Sequence, residues 1–91
     1  LAILECGQYN SMWPLIHMKP EETVQASVDL KAKIFMPVHW AKFSLAMHPW
    51  NESIIRATAK AADLSVDLRM PQIGEPLIID KEFTGAHWWE V

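Results

Sequence analysis

The sequence predicts an α/β fold, and three observations point to it. Short apolar runs suited to buried strands alternate with amphipathic stretches suited to helices, in the order strand, helix, strand, helix, strand, strand. The first two strand-like runs each lead into a long irregular segment rich in aromatic and imidazole side chains. The chain has 91 residues, 51% hydrophobic and 21% charged, which suits one small globular domain.

"LAILEC" (1–6) is a short apolar run that reads as a buried strand, and Gly7 punctuates its end. "GQYNSMWPLIHMK" (7–19) has no hydrophobic period and contains Gly, Asn, Ser and Pro, so it reads as a long loop. "PEETVQASVDLKA" (20–32) reads as a helix. Pro20 suits its first position, and Glu21 and Glu22 set negative charge against the positive end of the dipole. Val24 and Val28, with Leu30 beside them, are its expected inward stripe.

"KIFMPV" (33–38) reads as a second strand, in which Pro37 argues against pairing on both sides. "HWAKFSLAMHPW" (39–50) is a second aromatic loop. Asn51 is the expected N-cap of a helix over 52–63, with Glu52 in its first turn. Ile54, Ala57 and Ala61 form one apolar face and Ile55, Ala59 and Ala62 its neighbour, so a broad side is expected to be covered. "SVDLRM" (65–70) alternates like a strand with one wet face. "PQIGEP" (71–76) is turn chemistry, and "LIID" (77–80) reads as a last short strand.

Composition excludes several classes. Net charge is −3 with no basic block, which argues against nucleic-acid binding. No apolar run approaches the roughly 20 residues that span a bilayer. No signal-peptide pattern is present, and the single Cys6 fits a reducing compartment, so a cytoplasmic location is expected. The chain starts abruptly on an apolar strand and carries five Trp, three of them in expected loops. Large aromatics in loops must pack on something, and the expectation is a piece of a larger domain.

Ligands in α/β sheets gather at the carboxyl ends of strands, so the two histidine-bearing loops should open on one edge. His39 ends the second strand; it reads either as a packed structural residue or as a metal ligand. His17 lies just ahead of the first helix. An imidazole there can donate to an oxyanion or accept a proton, or can simply pack on Trp13. His48, beside Pro49 and Trp50, reads as cover for the second helix start. His87 reads as part of a tail that docks by Trp88 and Trp89. Tyr9 and Trp13 either line a pocket or fill core, and Cys6 reads as an inert small hydrophobe.

Three segments taken together, "LAILECGQYNSMWP", "IHMKPEETVQASVDLKAK" and "PVHWAKFSLAMHPWNE", resemble the C-terminal part of metallo-β-lactamase-fold hydrolases. Within these, the pattern is similar to the N-acyl-phosphatidylethanolamine phospholipase D-like and ascorbate-6-phosphate lactonase-like branch. The shared features are a Gly-x-Tyr loop with a Trp, a His shortly before Pro-Glu-Glu, and a strand ending in His-Trp. They cover about residues 1–52. The resemblance implies that residues 1–91 are the C-terminal half of an αββα sandwich, with a mixed sheet and two main helices.

It further implies roles residue by residue. His39 matches the last metal-ligand histidine, and His17 an active-site histidine that contacts substrate or assists catalysis. Tyr9 and Trp13 fall on the loop bordering the site and Trp40 directly after the ligand, so all three are expected to bind substrate. Two zinc ions would serve the intact site, acting on a phosphodiester, lactone or related ester, small or lipid-like. The family's His-Trp-Gly-Thr-Phe is His-Trp-Ala-Lys-Phe here, so Ala41 replaces a glycine and Lys42 adds a positive charge. The family's H-x-H-x-D-H motif lies upstream and does not occur in these 91 residues. The expected partner is therefore the remainder of the hydrolase domain. The piece alone is expected to be inactive and to self-associate over its uncovered face. The alternative is a small non-enzymatic α/β interaction module that binds a partner through its Trp-rich loops.

Overall fold

The computed structural model describes residues 1–41, 46–83, 85 and 87–90. Its elements are β1 (Ala2–Glu5), α1 (Pro20–Asp29), β2 (Phe35–Val38) and α2 (Glu52–Leu64). The two strands pair in parallel, with Ala2 opposite Phe35 and Glu5 opposite Val38. A parallel pair needs a long crossover, and the loop after β1 together with α1 supplies it. Among the described residues the protein is therefore a small α/β unit with two helices and a two-stranded parallel sheet.

The two expected later strands do not form as strands. Residues 65–70 contribute one bridge, Leu68 to Phe35. The Phe35 N–H donates to the Asp67 carbonyl at 2.9 Å, and the Arg69 N–H to the Phe35 carbonyl at 2.9 Å. Two residues further along β2 stands Pro37, which has no N–H to continue that ladder. Residues 77–80 are irregular, ending in a turn at Ile79 and Asp80. Arg69 holds this turn from the side, its guanidinium reaching the Lys81 carbonyl at 2.8 Å and the Asp67 carboxylate at 2.9 Å. Among the described residues the sheet is thus parallel, where a mixed sheet was expected.

Helix α1 ends at Asp29, short of the expected 32. The Lys31 N–H bonds the Val28 carbonyl and the Ala32 N–H the Ser27 carbonyl, with Lys31 at φ 57°. That is the Schellman stop, taken here without glycine. The expected inward stripe is also displaced. Val24 is buried, but Val28 and Leu30 are exposed, and Pro20, Thr23 and Ser27 complete the buried face. Small residues on this face let α1 approach α2, whose Ile54, Ala57 and Ala61 are buried as expected. Ile55, Ala59 and Ala62 are exposed, so the second apolar face of α2 is uncovered among the described residues.

Asn51 stands at the N-cap of α2 but makes no capping bond; its amide donates to the Trp89 carbonyl at 3.3 Å. At the start of α1, the Glu22 carboxylate accepts the Lys19 N–H at 2.8 Å. Arg56 of α2 clasps Glu21 of α1 with two bonds, at 2.8 and 2.7 Å.

The core is built from Ala2, Cys6, Val24, Phe35, Ile54, Ala57, Ala61, Met70 and Trp89. Trp89 is 2% exposed, and the Trp88 indole N–H donates to the Met70 carbonyl at 3.2 Å. The tail docks by its indoles, as the sequence suggests. Cys6 is fully buried and burial pushes its thiol up to about 12, so it is the inert hydrophobe expected.

Candidate metal and catalytic site

The parallel register sets the site. Glu5, the last residue of β1, lies opposite Val38, so the side chains beyond the two strand ends are neighbours. The Cys6 N–H continues the pairing onto the Val38 carbonyl at 2.9 Å. Beyond it the backbones touch at Gly7. A Cβ on Gly7 would lie 1.7 Å from the His39 carbonyl oxygen and 2.7 Å from the Trp40 Cα, so only glycine fits. His39 itself has φ 67° and Ala41 φ 74°, both left-handed. Such backbone costs about 1–3 kcal/mol per residue and clusters at functional sites.

This turn carries the His39 ring to His17. The two rings stack with centroids 5.3 Å apart and an interplanar angle of 25°. The loop after β1 brings His17 back across the end of its own strand, where its Nδ1 lies 2.5 Å from the Glu5 Oε2. The other oxygen, Oε1, accepts the Met18 N–H at 2.8 Å. Glu5, His17 and His39 each offer one ligand atom, and the three atoms lie within 4.8 Å of one another. Two imidazoles and a carboxylate are a donor set that suits zinc. The two histidine-bearing loops therefore do open on one edge, and His17 meets His39 and Glu5 there.

The remaining expected site residues lie elsewhere. The Tyr9 hydroxyl donates to the Glu52 carboxylate, and its ring stacks on His48 with centroids 4.1 Å apart. The Arg56 guanidinium sits 4.9 Å from the same ring. Burial and the Glu52 carboxylate push the Tyr9 phenol up to about 12. Together with Lys19 these side chains line a polar cleft of about 420 Å³. Trp13 is half-buried, and its indole donates to the Gln8 carbonyl at 2.9 Å. Trp40 turns away from the imidazoles. Its ring stacks on Trp88 at 5.1 Å and its indole donates to the Pro37 carbonyl at 3.1 Å. His48 does stand before the start of α2, with its ring on Tyr9. Lys42 lies outside the described residues.

Glu5, which the structure brings together with the two histidines, is the residue of this cluster that sequence reasoning passed over. The signal was a lone carboxylate in an apolar strand run, one residue before a buried cysteine.

No protein-family model matches the chain, and no solved structure matches it. Along its whole length the chain is 37% identical to an uncharacterised protein of Mycobacterium tuberculosis, of which the match covers 25%. Over 39 residues it is 54% identical to the outer membrane protein RomA of Klebsiella pneumoniae, covering 43% of the chain and 30% of that protein. Over 48 residues it is 40% identical to the mitochondrial N-acyl-phosphatidylethanolamine-hydrolyzing phospholipase D of Saccharomyces cerevisiae, covering 50% of the chain and 10% of that protein. The chain spans about a quarter of the length of the mycobacterial relative it matches from end to end. No helix among the described residues is long and apolar enough to cross a membrane. Half of the chain is therefore similar to a lipid-cleaving hydrolase.

Proposed function

We propose that this chain forms the C-terminal portion of a metallo-β-lactamase-fold, metal-dependent hydrolase, with His39 as a zinc ligand and His17 as the imidazole that works on the substrate. The observation that carries the reading is the convergence of His39 and His17 beyond paired strand ends, with the His39 backbone in the left-handed region. The partial likeness to an N-acyl-phosphatidylethanolamine-hydrolyzing phospholipase D supports it. Zinc bound there would activate a water and offset the negative charge that develops as an ester bond breaks. His39 contributes a nitrogen ligand from a rigid turn. His17 donates or accepts a proton beside it. Substrates on this reading are phosphodiesters, lactones or related esters, and a second zinc and further ligands come from the remainder of the domain.

The outer edge of β1 fits that architecture. It carries no pairing among the described residues, and Leu1 and Ile3 beside it are half-exposed. An apolar cleft of about 900 Å³ runs from this edge to Leu30, Ile34 and Ile79. The remainder of the domain would cover it; in its absence a second copy of the chain would.

The test is made on protein expressed with the residues encoded upstream of Leu1, where an H-x-H-x-D-H motif is expected. His39→Ala should lose zinc, read by elemental analysis, and lose hydrolysis of bis(p-nitrophenyl) phosphate. His48→Ala should keep its zinc. Full zinc occupancy in His39→Ala refutes the ligand assignment, and an unrelated upstream sequence refutes the family reading.

A further inference from the structure

We infer that Glu5 is a positioning residue: its carboxylate holds His17 as the tautomer protonated on Nδ1, leaving Nε2 with its lone pair free. The functional weight of this rests on the reading of His17 given above, but the contact is defined independently of it. Each carboxylate oxygen has its own donor. Oε1 takes the Met18 N–H at 2.8 Å, and Oε2 faces the His17 Nδ1 at 2.5 Å. A carboxylate accepts here, and of the two neutral tautomers of the ring only the one protonated on Nδ1 can donate to it. The bond from Met18 pins the carboxylate, because a backbone N–H cannot change its role. Both oxygens are thus engaged by protein donors, which favours an orienting role over metal ligation for Glu5. Imidazoles at metal sites are commonly held in this way, by a carboxylate on the nitrogen that does not work.

The arrangement makes a sharp test possible. In Glu5→Gln the amide has one oxygen and one NH2. The Met18 N–H requires the oxygen, since an NH2 placed there would set donor against donor. The NH2 then faces the His17 Nδ1, which can adapt by moving its proton to Nε2. Glu5→Gln should therefore invert the His17 tautomer with the surrounding geometry kept. Glu5→Asp, which keeps the charge, should restore the Nδ1-protonated form.

The readout is the pair of 15N chemical shifts of the His17 ring in the 91-residue chain, assigned by its absence in His17→Gln. The wild-type spectrum alone is the first arm and needs no variant to fold. It should show a protonated Nδ1 and an unprotonated Nε2. In the upstream-extended protein, Glu5→Gln should lower kcat on bis(p-nitrophenyl) phosphate by about 10- to 100-fold with KM little changed. Glu5→Asp should recover part of the loss. A wild-type His17 protonated on Nε2, or the same tautomer in wild type and Glu5→Gln, overturns the inference. So does an inverted tautomer with unchanged kcat in a protein that turns over. Absence of turnover in every protein, with the tautomers as stated, instead removes the hydrolase reading and leaves the Glu5–His17 contact established.

Discussion

Gly7→Ala is the substitution that bears most directly on how this site is built. The added Cβ would sit 1.7 Å from the His39 carbonyl oxygen, 2.5 Å from its carbon and 2.7 Å from the Trp40 Cα. All three are backbone atoms, so no side chain can swing aside. To reach the 3.0 Å that real Cβ contacts require, the strand ends must part by about 1.3 Å. That movement strains the Cys6–Val38 backbone bond and draws His39 away from His17. Forced repacking of this kind typically costs about 1–3 kcal/mol. For a domain of this size each 1 kcal/mol lowers Tm by about 4–8 °C, so a loss of about 4–24 °C is expected. On the proposed reading of His39 as a zinc ligand, a displacement of about 1 Å can also cost about 100-fold in function, so zinc affinity should fall well beyond what the loss of stability explains. Thermal denaturation by circular dichroism and zinc titration by calorimetry measure the two effects. A variant melting within 2 °C of the parent, with its zinc affinity intact, would refute the close-approach argument (the 2 °C margin is about half the smallest shift expected per kcal/mol).

Three further outcomes are expected. Ala41→Gly relieves a φ of 74° and should stabilise the protein by about 0.5–1 kcal/mol net of the added unfolded-state entropy, read as a higher Tm; no change or a decrease contradicts the left-handed assignment. Trp89→Ala empties a buried indole site and should cost about 3–5 kcal/mol in denaturant titrations, whereas a surface-like loss below 1 kcal/mol would mean that the tail does not dock. The Arg56 guanidinium holds the Glu21 carboxyl below its ordinary 4.5, so this pair adds stability above that pH and loses it as pH falls through the folded value. Both side chains are over one-third exposed, which limits the pair to about 0.2–1 kcal/mol after screening. Arg56→Ala should accordingly flatten the Tm profile below about pH 5, the range in which an Asp or Glu pair titrates. An unchanged acid limb would assign that limb to other carboxylates.

Local pattern carried much of the fold. Apolar runs placed β1 and β2, and the spacing of Ile54, Ala57 and Ala61 placed the buried face of α2. Proline chemistry located the start of α1 and the limit of sheet pairing at Pro37. These features depend on neighbours within one or two turns, which is what a sequence displays. The last two expected strands failed because an apolar run becomes a strand only when another strand is there to accept its backbone bonds. Residues 65–70 find one bridge, and residues 77–80 are held by the Arg69 side chain instead. The inward stripe of α1 shifted for a related reason. Which face of a helix is buried depends on what lies opposite, and small side chains at Thr23 and Ser27 allow a close approach that the valine spacing does not reveal.

By itself, the sequence determined that this is an α/β chain with histidines after two successive strands, and that His17 and His39 belong to one pattern. Only the tertiary structure decided that the two imidazoles meet, that Glu5 completes their cluster, and that Tyr9 and Trp40 face elsewhere. Glu5 and His39 are 34 positions apart and become neighbours through strand register. Register is set by pairing between distant segments and by a glycine that lets two backbones touch. Neither the pairing nor the contact is a property of any local stretch of chain.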